Sequence, residues 1–202
     1  MVRYTGRVKK YLVWWLVTPV FWWMVTRPGA VAFEWRRVPG YARTYLQELT
    51  GPERLGRINE MRGAGGKWGR VWFNKGYVVV DEIFSVLSLL SPRIYFQAGD
   101  GGPLSPPGVE PIPGLLVIFW AGGMVASLKK YNPRPFVIAG LGAVGAYAVG
   151  GIRLAFLLPV LGVYLYWVEE GATMMLGGKR KWLVAGTGII CAYLAGRAYF
   201  LD

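Results

Sequence analysis

Residues 145–164 read GAYAVGGIRLAFLLPVLGVY and form the middle of a long apolar run. The run extends from Phe136 to Val168, and Arg153 is its one charged residue. As a single helix it would be about 50 Å long, whereas the hydrocarbon core of a bilayer is about 30 Å thick. Divided at the Gly-Gly-Ile-Arg sequence of 150–153, it yields arms of 14 and 15 residues. The position of Arg153, within one span or in a turn between two, therefore decides the topology.

Basic clusters on both sides of this run favour the turn. They are Lys129, Lys130 and Arg134 before the run and Lys179, Arg180 and Lys181 after it. One span would place the clusters on opposite sides of a membrane, whereas a hairpin places both on the same, basic side. We predict the hairpin, with one long tilted helix and a re-entrant pair as alternatives. In the hairpin Arg153 reaches the interface or a lipid head group, and Asp81 and Glu82 lie at the opposite face.

The composition also favours a membrane protein. Of the 202 residues 54% are hydrophobic and 17% are charged, whereas soluble domains have about 25% charged residues. We therefore predict an all-α integral membrane protein with about five short transmembrane helices, or six if the N-terminal segment also spans. The predicted spans are 77–96, 115–128, 136–149, 154–168 and 182–201.

The N-terminal unit, 1–33, is basic, aromatic and free of acidic residues. Its apolar stretch YLVWWLVTPVFWWMVT (11–26) would reach about 24 Å as a helix, with a kink at Pro19. Two alternatives stay open, a short tilted span and a helix that lies at the membrane interface. A basic start without acids is typical of mitochondrial targeting sequences and of the n-region of a signal peptide.

The remaining chain divides into three units. Residues 34–76 form a basic extramembrane segment with two short helices, 41–50 and 52–62, and a glycine-rich ordered loop at 63–76. Residues 77–111 form a membrane helix followed by a loop rich in proline and glycine. Residues 112–202 form a glycine-rich transmembrane bundle. The GAGGKWG sequence at 63–69 lacks the spacing of a phosphate-binding loop, so we predict no nucleotide site there.

Several function classes are excluded by residue usage. The chain has no histidine, so haem ligation by histidine and catalysis by imidazole are excluded. Cys191 is the only cysteine, so no disulfide forms within the chain. No nucleic-acid-binding motif is present despite a net charge of +12. We predict no catalytic residues, no cofactor, no metal site, no nucleic-acid partner and no small-molecule substrate.

Two sets of residues are candidates for binding and packing. Cations and a tryptophan beside apolar segments are candidates for binding an anionic phospholipid such as cardiolipin. They are Lys129, Lys130, Arg134, Arg153, Lys179, Arg180, Lys181 and Trp182. Small residues spaced four apart are candidates for close helix packing. They are Gly142, Ala146 and Gly150, and Gly188, Ala192 and Gly196.

These features predict a non-catalytic accessory subunit of a large energy-transducing membrane complex. Its expected partners are other membrane subunits and anionic lipids. The predicted location is the mitochondrial inner membrane, with the bacterial plasma membrane as the alternative, and the predicted host is an ATP synthase or else a respiratory complex. The alternative function is a small independent transporter or channel, in which Asp81, Glu82 and Arg153 would be the intramembrane charges.

Overall fold

The computed structural model describes residues 13–50, 52–72, 75–98, 109–149 and 153–201. Within these ranges the regular structure is helical, and no strand is present. The α-helices in chain order are α1 (Pro19–Thr26), α2 (Pro28–Arg36), α3 (Val38–Thr50), α4 (Pro52–Ala64), α5 (Gly66–Trp72), α6 (Lys75–Ser88), α7 (Val117–Lys129), α8 (Arg134–Ala148), α9 (Leu158–Leu176) and α10 (Arg180–Leu201). A π-helical turn at Ile94–Ala98 and 3₁₀ turns at Gly114–Leu116 and Gly177–Lys179 lie between them.

Helix α9 is the centre of the core, and its closest neighbour is α7. The two helices cross at Gly123 and Gly171. A Cβ added at Gly123 would lie 1.8 Å from the carbonyl oxygen of Trp167, and one added at Gly171 would lie 1.9 Å from that of Phe119. Only glycine permits such an approach of two backbones, so these two residues set the distance between α7 and α9.

The long apolar run is divided, as predicted, into two helices rather than one. Helix α8 ends at Ala148 and α9 begins at Leu158. Arg153 begins a turn in which its carbonyl oxygen accepts hydrogen bonds from the backbone N–H groups of Phe156 and Leu157. The helices are antiparallel, since Gly142 lies against Val160 near the turn and the ring of Phe136 lies 5.0 Å from that of Trp167 farther away.

The N-terminal stretch is a broken helix, because Pro19 starts a new helix instead of kinking one. Residues 13–15 are helical, the chain turns at 16–18, and the Thr18 side chain caps α1 by accepting a hydrogen bond from the Phe21 N–H. Trp14 and Trp23 are both fully buried. Helix α10 packs against α1, and the thiol of Cys191 donates a hydrogen bond of 2.9 Å to the Val17 carbonyl.

The two predicted helices of the basic segment are present as α3 and α4, but the loop predicted at 63–76 is wrong for the described residues, 63–72 and 75–76. Helix α4 continues to Ala64, and α5 follows after a tight turn in which Gly66 has a φ of +56°. A Cβ added at Gly69 would lie 2.5 Å from the carbonyl oxygen of Arg62. The glycines therefore permit a close approach of two helices rather than an irregular loop.

The predicted membrane architecture is wrong, although the all-helical class is confirmed. Within the described residues, no helix combines the length and the apolar composition needed to cross a bilayer. A span needs about 20 apolar residues, whereas α7 has 13 residues and α8 has 15. Helix α9 has 19, but it carries Glu169 and Glu170. The five or six predicted spans are therefore not supported. The predicted locations, the mitochondrial inner membrane and the bacterial plasma membrane, depended on these spans and are wrong for the same reason.

Candidate functional site: a basic cleft between α9 and α10

A cleft of about 310 Å³ lies between the residues preceding α1, the second half of α9 and the first turns of α10. Its lining residues are Val13, Trp14, Glu169, Arg180, Lys181, Val184 and Ala185. The turn between the helices forms the cleft. Gly177 ends α9 with a φ of +54°, a conformation that favours glycine, and the 3₁₀ turn that follows returns Arg180 to Glu169. We call this feature the basic cleft.

Glu169 is a buried carboxylate whose two oxygens are both bonded. The indole N–H of Trp14 donates a hydrogen bond of 2.6 Å to Oε2. The guanidinium of Arg180 lies 2.6 Å from Oε1 and also donates to the hydroxyl of Thr173, which in turn lies 3.3 Å from Oε1. A buried charge is stable only when it is paired and hydrogen-bonded, so these hydrogen bonds and the ion pair stabilise the buried carboxylate of Glu169.

The structure brings the two predicted basic clusters to successive carboxylates of α9. Lys130 lies 2.8 Å from Glu170, in an exposed ion pair. Arg180 binds Glu169, and Lys181 lines the cleft beside it. The remaining lipid-binding candidates in or beside these clusters are exposed side chains, and they form no ion pair within the described part of the chain. They are Lys129, Arg134, Lys179 and Trp182.

Arg153, the remaining lipid-binding candidate, lies in a different place. Its guanidinium lies 3.1 Å from Glu34 Oε2 and 4.0 Å from the centroid of the Tyr41 ring. Tyr41 also donates a hydrogen bond of 3.3 Å to Glu34. Sequence reasoning missed Glu34, which is 119 residues away in the chain. One signal for Glu34 was available, since it is the first acidic residue of the chain and follows a basic segment.

Glu82 joins three helices through two tyrosines. Tyr45 of α3 donates a hydrogen bond of 3.0 Å to Glu82 Oε2, and Tyr147 of α8 donates to the same oxygen. Burial is the main cause that raises the pKa of both tyrosines above the ordinary value of 10, and their hydrogen bonds to Glu82 raise it further. Sequence reasoning did not identify the two tyrosines that bind Glu82, which are 37 and 65 residues away in the chain.

The predicted packing residues lie at or near helix contacts where the structure describes them. A Cβ at Gly142 would lie 3.1 Å from Val160 Cγ2, and Ala146 is buried. A Cβ at Gly188 would lie 3.6 Å from the Leu16 carbonyl oxygen, and Ala192 is half-buried. Gly150 and the surroundings of Gly196 lie outside the description. The closest crossing, at Gly123 and Gly171, was missed because its glycines have no four-residue repeat.

A second cavity, of about 830 Å³, opens beside the turn between α4 and α5. Its described lining consists of Asn59, Arg62, Gly63, Gly66 and Lys67. None of these side chains is buried, so the cavity is a surface concavity. It is a weaker site than the basic cleft, where Trp14 and Glu169 are buried.

The chemistry available to the described residues is limited. No group of three or more His, Cys, Asp or Glu residues among them could hold a metal ion. Burial raises the pKa of the Cys191 thiol to about 12, so the thiolate that acts as a nucleophile is scarce at neutral pH. The carboxylates of Glu34, Glu82 and Glu169 are each bonded to a tyrosine, tryptophan or arginine.

Comparisons of the chain with models of known protein families, with curated proteins and with solved structures find no match. Function is therefore inferred from the residues of this chain and their geometry.

Proposed function

We propose that the protein is a non-catalytic structural subunit of a larger assembly, in which its exposed apolar helix faces are covered by helices of partner subunits. The observation that supports this proposal is a pair of apolar stripes on the surface. Monomeric soluble proteins rarely expose contiguous apolar patches of more than a few hundred square ångströms, and larger patches mark interaction sites.

The first stripe lies on α6 and the second on α8. The α6 stripe consists of Val79, Val80, Ile83, Phe84 and Leu87, which are 46 to 67% exposed. The last four of these residues lie one, four, five and eight positions after Val79. The α8 stripe consists of Val137, Ile138, Leu141 and Val144, which are 51 to 68% exposed. Both spacings follow one face of a helix, so each stripe is a continuous ridge.

An apolar helix is the occupant that fits these stripes. Ridges of residues four apart pack into the grooves of another helix, and burial of apolar side chains provides the free energy. Asp81 lies at the edge of the α6 stripe, and Arg134 begins helix α8, one turn before the α8 stripe. The centre of each stripe is without charge, so a neutral helix can lie along it.

The host assembly stays a prediction from sequence. An energy-transducing complex, an ATP synthase first and a respiratory complex second, remains the hypothesis for the host. No observation within the described residues favours the alternative of a small transporter or channel.

Native mass in an extract of the cells that make the protein tests the proposal. We expect the protein to migrate with a large assembly, and migration as a free chain of 22.5 kDa would overturn the proposal. The variant Ile83→Ser/Phe84→Ser should release the protein from the assembly because it places two hydroxyls in the α6 stripe. The control Met174→Ser/Met175→Ser changes an adjacent pair of comparable exposure on α9 and should remain assembled.

A further inference from the structure

Exposed cations lie at the N-terminal end of α10, and an exposed apolar stripe follows along one face of the helix. Lys179 and Lys181 are exposed at that end. Trp182, Ile189 and Tyr193 follow and are 82, 72 and 66% exposed. Their spacings of seven and four residues place them on one face of the helix, over about 16 Å. We call Trp182, Ile189 and Tyr193 the α10 stripe.

The basic cleft borders this stripe. Lys181 and Ala185 line the cleft, and Ala185 lies at the edge of the stripe, one helical turn after Trp182. The cleft contains two cations, Arg180 and Lys181, and one carboxylate, Glu169, which already binds Arg180 and Trp14. A net positive charge therefore remains in a cleft that continues into an apolar surface.

We propose that this surface binds one anionic phospholipid, with the phosphate at Lys179, Lys181 and the basic cleft and an acyl chain along the α10 stripe. Ammonium groups bind phosphate through charge-assisted hydrogen bonds. A tryptophan at the boundary between charge and apolar surface matches the preference of its indole for the head-group region. A neutral apolar helix would leave the lysines without a counter-charge, and a free phosphate would leave the stripe uncovered.

This inference is independent of the proposed assembly function, which uses α6 and α8. Failure of one therefore leaves the other in place, because lipid binding is measured on the purified chain and assembly is measured by native mass in the extract.

Flotation with vesicles tests the lipid site on the full chain. We expect binding to vesicles of phosphatidylcholine with phosphatidylglycerol and much weaker binding to phosphatidylcholine alone. The variant Lys179→Gln/Lys181→Gln should weaken the binding about 25-fold, because each cation near an anionic surface contributes about fivefold. Ile189→Ser/Tyr193→Ser should weaken it about tenfold through lost apolar burial.

The control Arg36→Gln/Arg37→Gln removes the same charge elsewhere. These arginines follow Trp35, whose ring contacts Phe156 near the opposite end of α9, so they lie beyond the Debye length of about 8 Å. The control should change the affinity by about twofold or less. All substituted side chains are exposed, and circular dichroism verifies that each variant is folded.

Four results would overturn the lipid site. The first is that the unchanged chain does not bind the vesicles, and the second is that the lysine variant and the arginine control lose the same amount of affinity. The third is that the stripe variant binds with full affinity. The fourth is that inorganic phosphate displaces the vesicles at constant ionic strength. The last result would identify a site for free phosphate instead.

Discussion

The buried ion pair between Glu169 and Arg180 can be compared with an exposed pair on the neighbouring residue. Arg180→Met removes the guanidinium that lies 2.6 Å from Glu169 Oε1 and keeps an unbranched apolar side chain. The carboxylate then stays buried without the cation that faces it. Lys130→Met is the matched control, because it removes the cation that lies 2.8 Å from Glu170.

Burial sets the expected difference between the two variants. The side chains of Arg180 and Glu169 are 23 and 9% exposed, and removal of one partner from a buried pair costs about 3–5 kcal/mol. We expect about 3 kcal/mol for Arg180→Met because the arginine is partly exposed. For a chain of 202 residues this loss lowers Tm by about 6–12 °C. Lys130 and Glu170 are 65 and 30% exposed, so Lys130→Met should cost about 0.5 kcal/mol or less.

Urea denaturation followed by circular dichroism measures both free energies of unfolding, and urea leaves the ionic strength unchanged. The double variant Glu169→Gln/Arg180→Met removes both charges, so it should recover more than half of the loss caused by Arg180→Met alone. The reasoning is refuted if Arg180→Met and Lys130→Met cost the same, or if the double variant is no more stable than Arg180→Met.

Other expected outcomes follow from packing and burial. Gly123→Ala should lower the free energy of unfolding, measured in urea, by at least about 3 kcal/mol because its Cβ would lie 1.8 Å from a backbone oxygen. Its control, Gly145→Ala, has open space around it and should stabilise α8 by up to about 1 kcal/mol. Equal effects of the two substitutions would contradict this prediction. Cys191, with its pKa raised to about 12 by burial, should react with a maleimide at mildly alkaline pH only after unfolding in urea. Burial raises the pKa of Tyr95 and Tyr164 above 10. Their contribution to stability is therefore complete below pH 10 and is lost as pH rises through the folded-state pKa. The absorbance of their tyrosinate forms should appear together with loss of helicity, and its appearance while the helices are intact would contradict this prediction.

Features set by a few neighbouring residues could be predicted from sequence. Pro52 begins α4 and the Asn-Pro-Arg-Pro sequence precedes and begins α8, since proline is favoured in the first turn of a helix. The two glycines before Arg153 predicted the break between α8 and α9. These signals act within one or two helical turns, so they do not depend on which helices later meet.

Features that depend on distant partners could not be predicted. Gly123 and Gly171 form a close helix crossing, yet neither has a glycine or alanine four residues away, the pattern that singled out Gly142 and Gly188. Whether a glycine permits close packing depends on the backbone opposite it, which local spacing does not identify. The GAGGKWG sequence shows the same limit, because its glycines accommodate a contact between helices that helix propensity alone disfavours.

The membrane prediction was wrong because cations and apolar residues were interpreted without their partners. The hairpin argument counted lysine and arginine, whereas three of the eight predicted lipid-binding residues, Lys130, Arg153 and Arg180, pair with Glu170, Glu34 and Glu169. Likewise α9 is apolar on most sides because other helices surround it, and hydropathy does not distinguish a protein interior from lipid. Charge therefore indicates a binding surface only where no carboxylate of the same chain neutralises it. Both predicted clusters lie beside exposed apolar side chains, and the one at Lys179 and Lys181 also borders the basic cleft, whose net charge is positive.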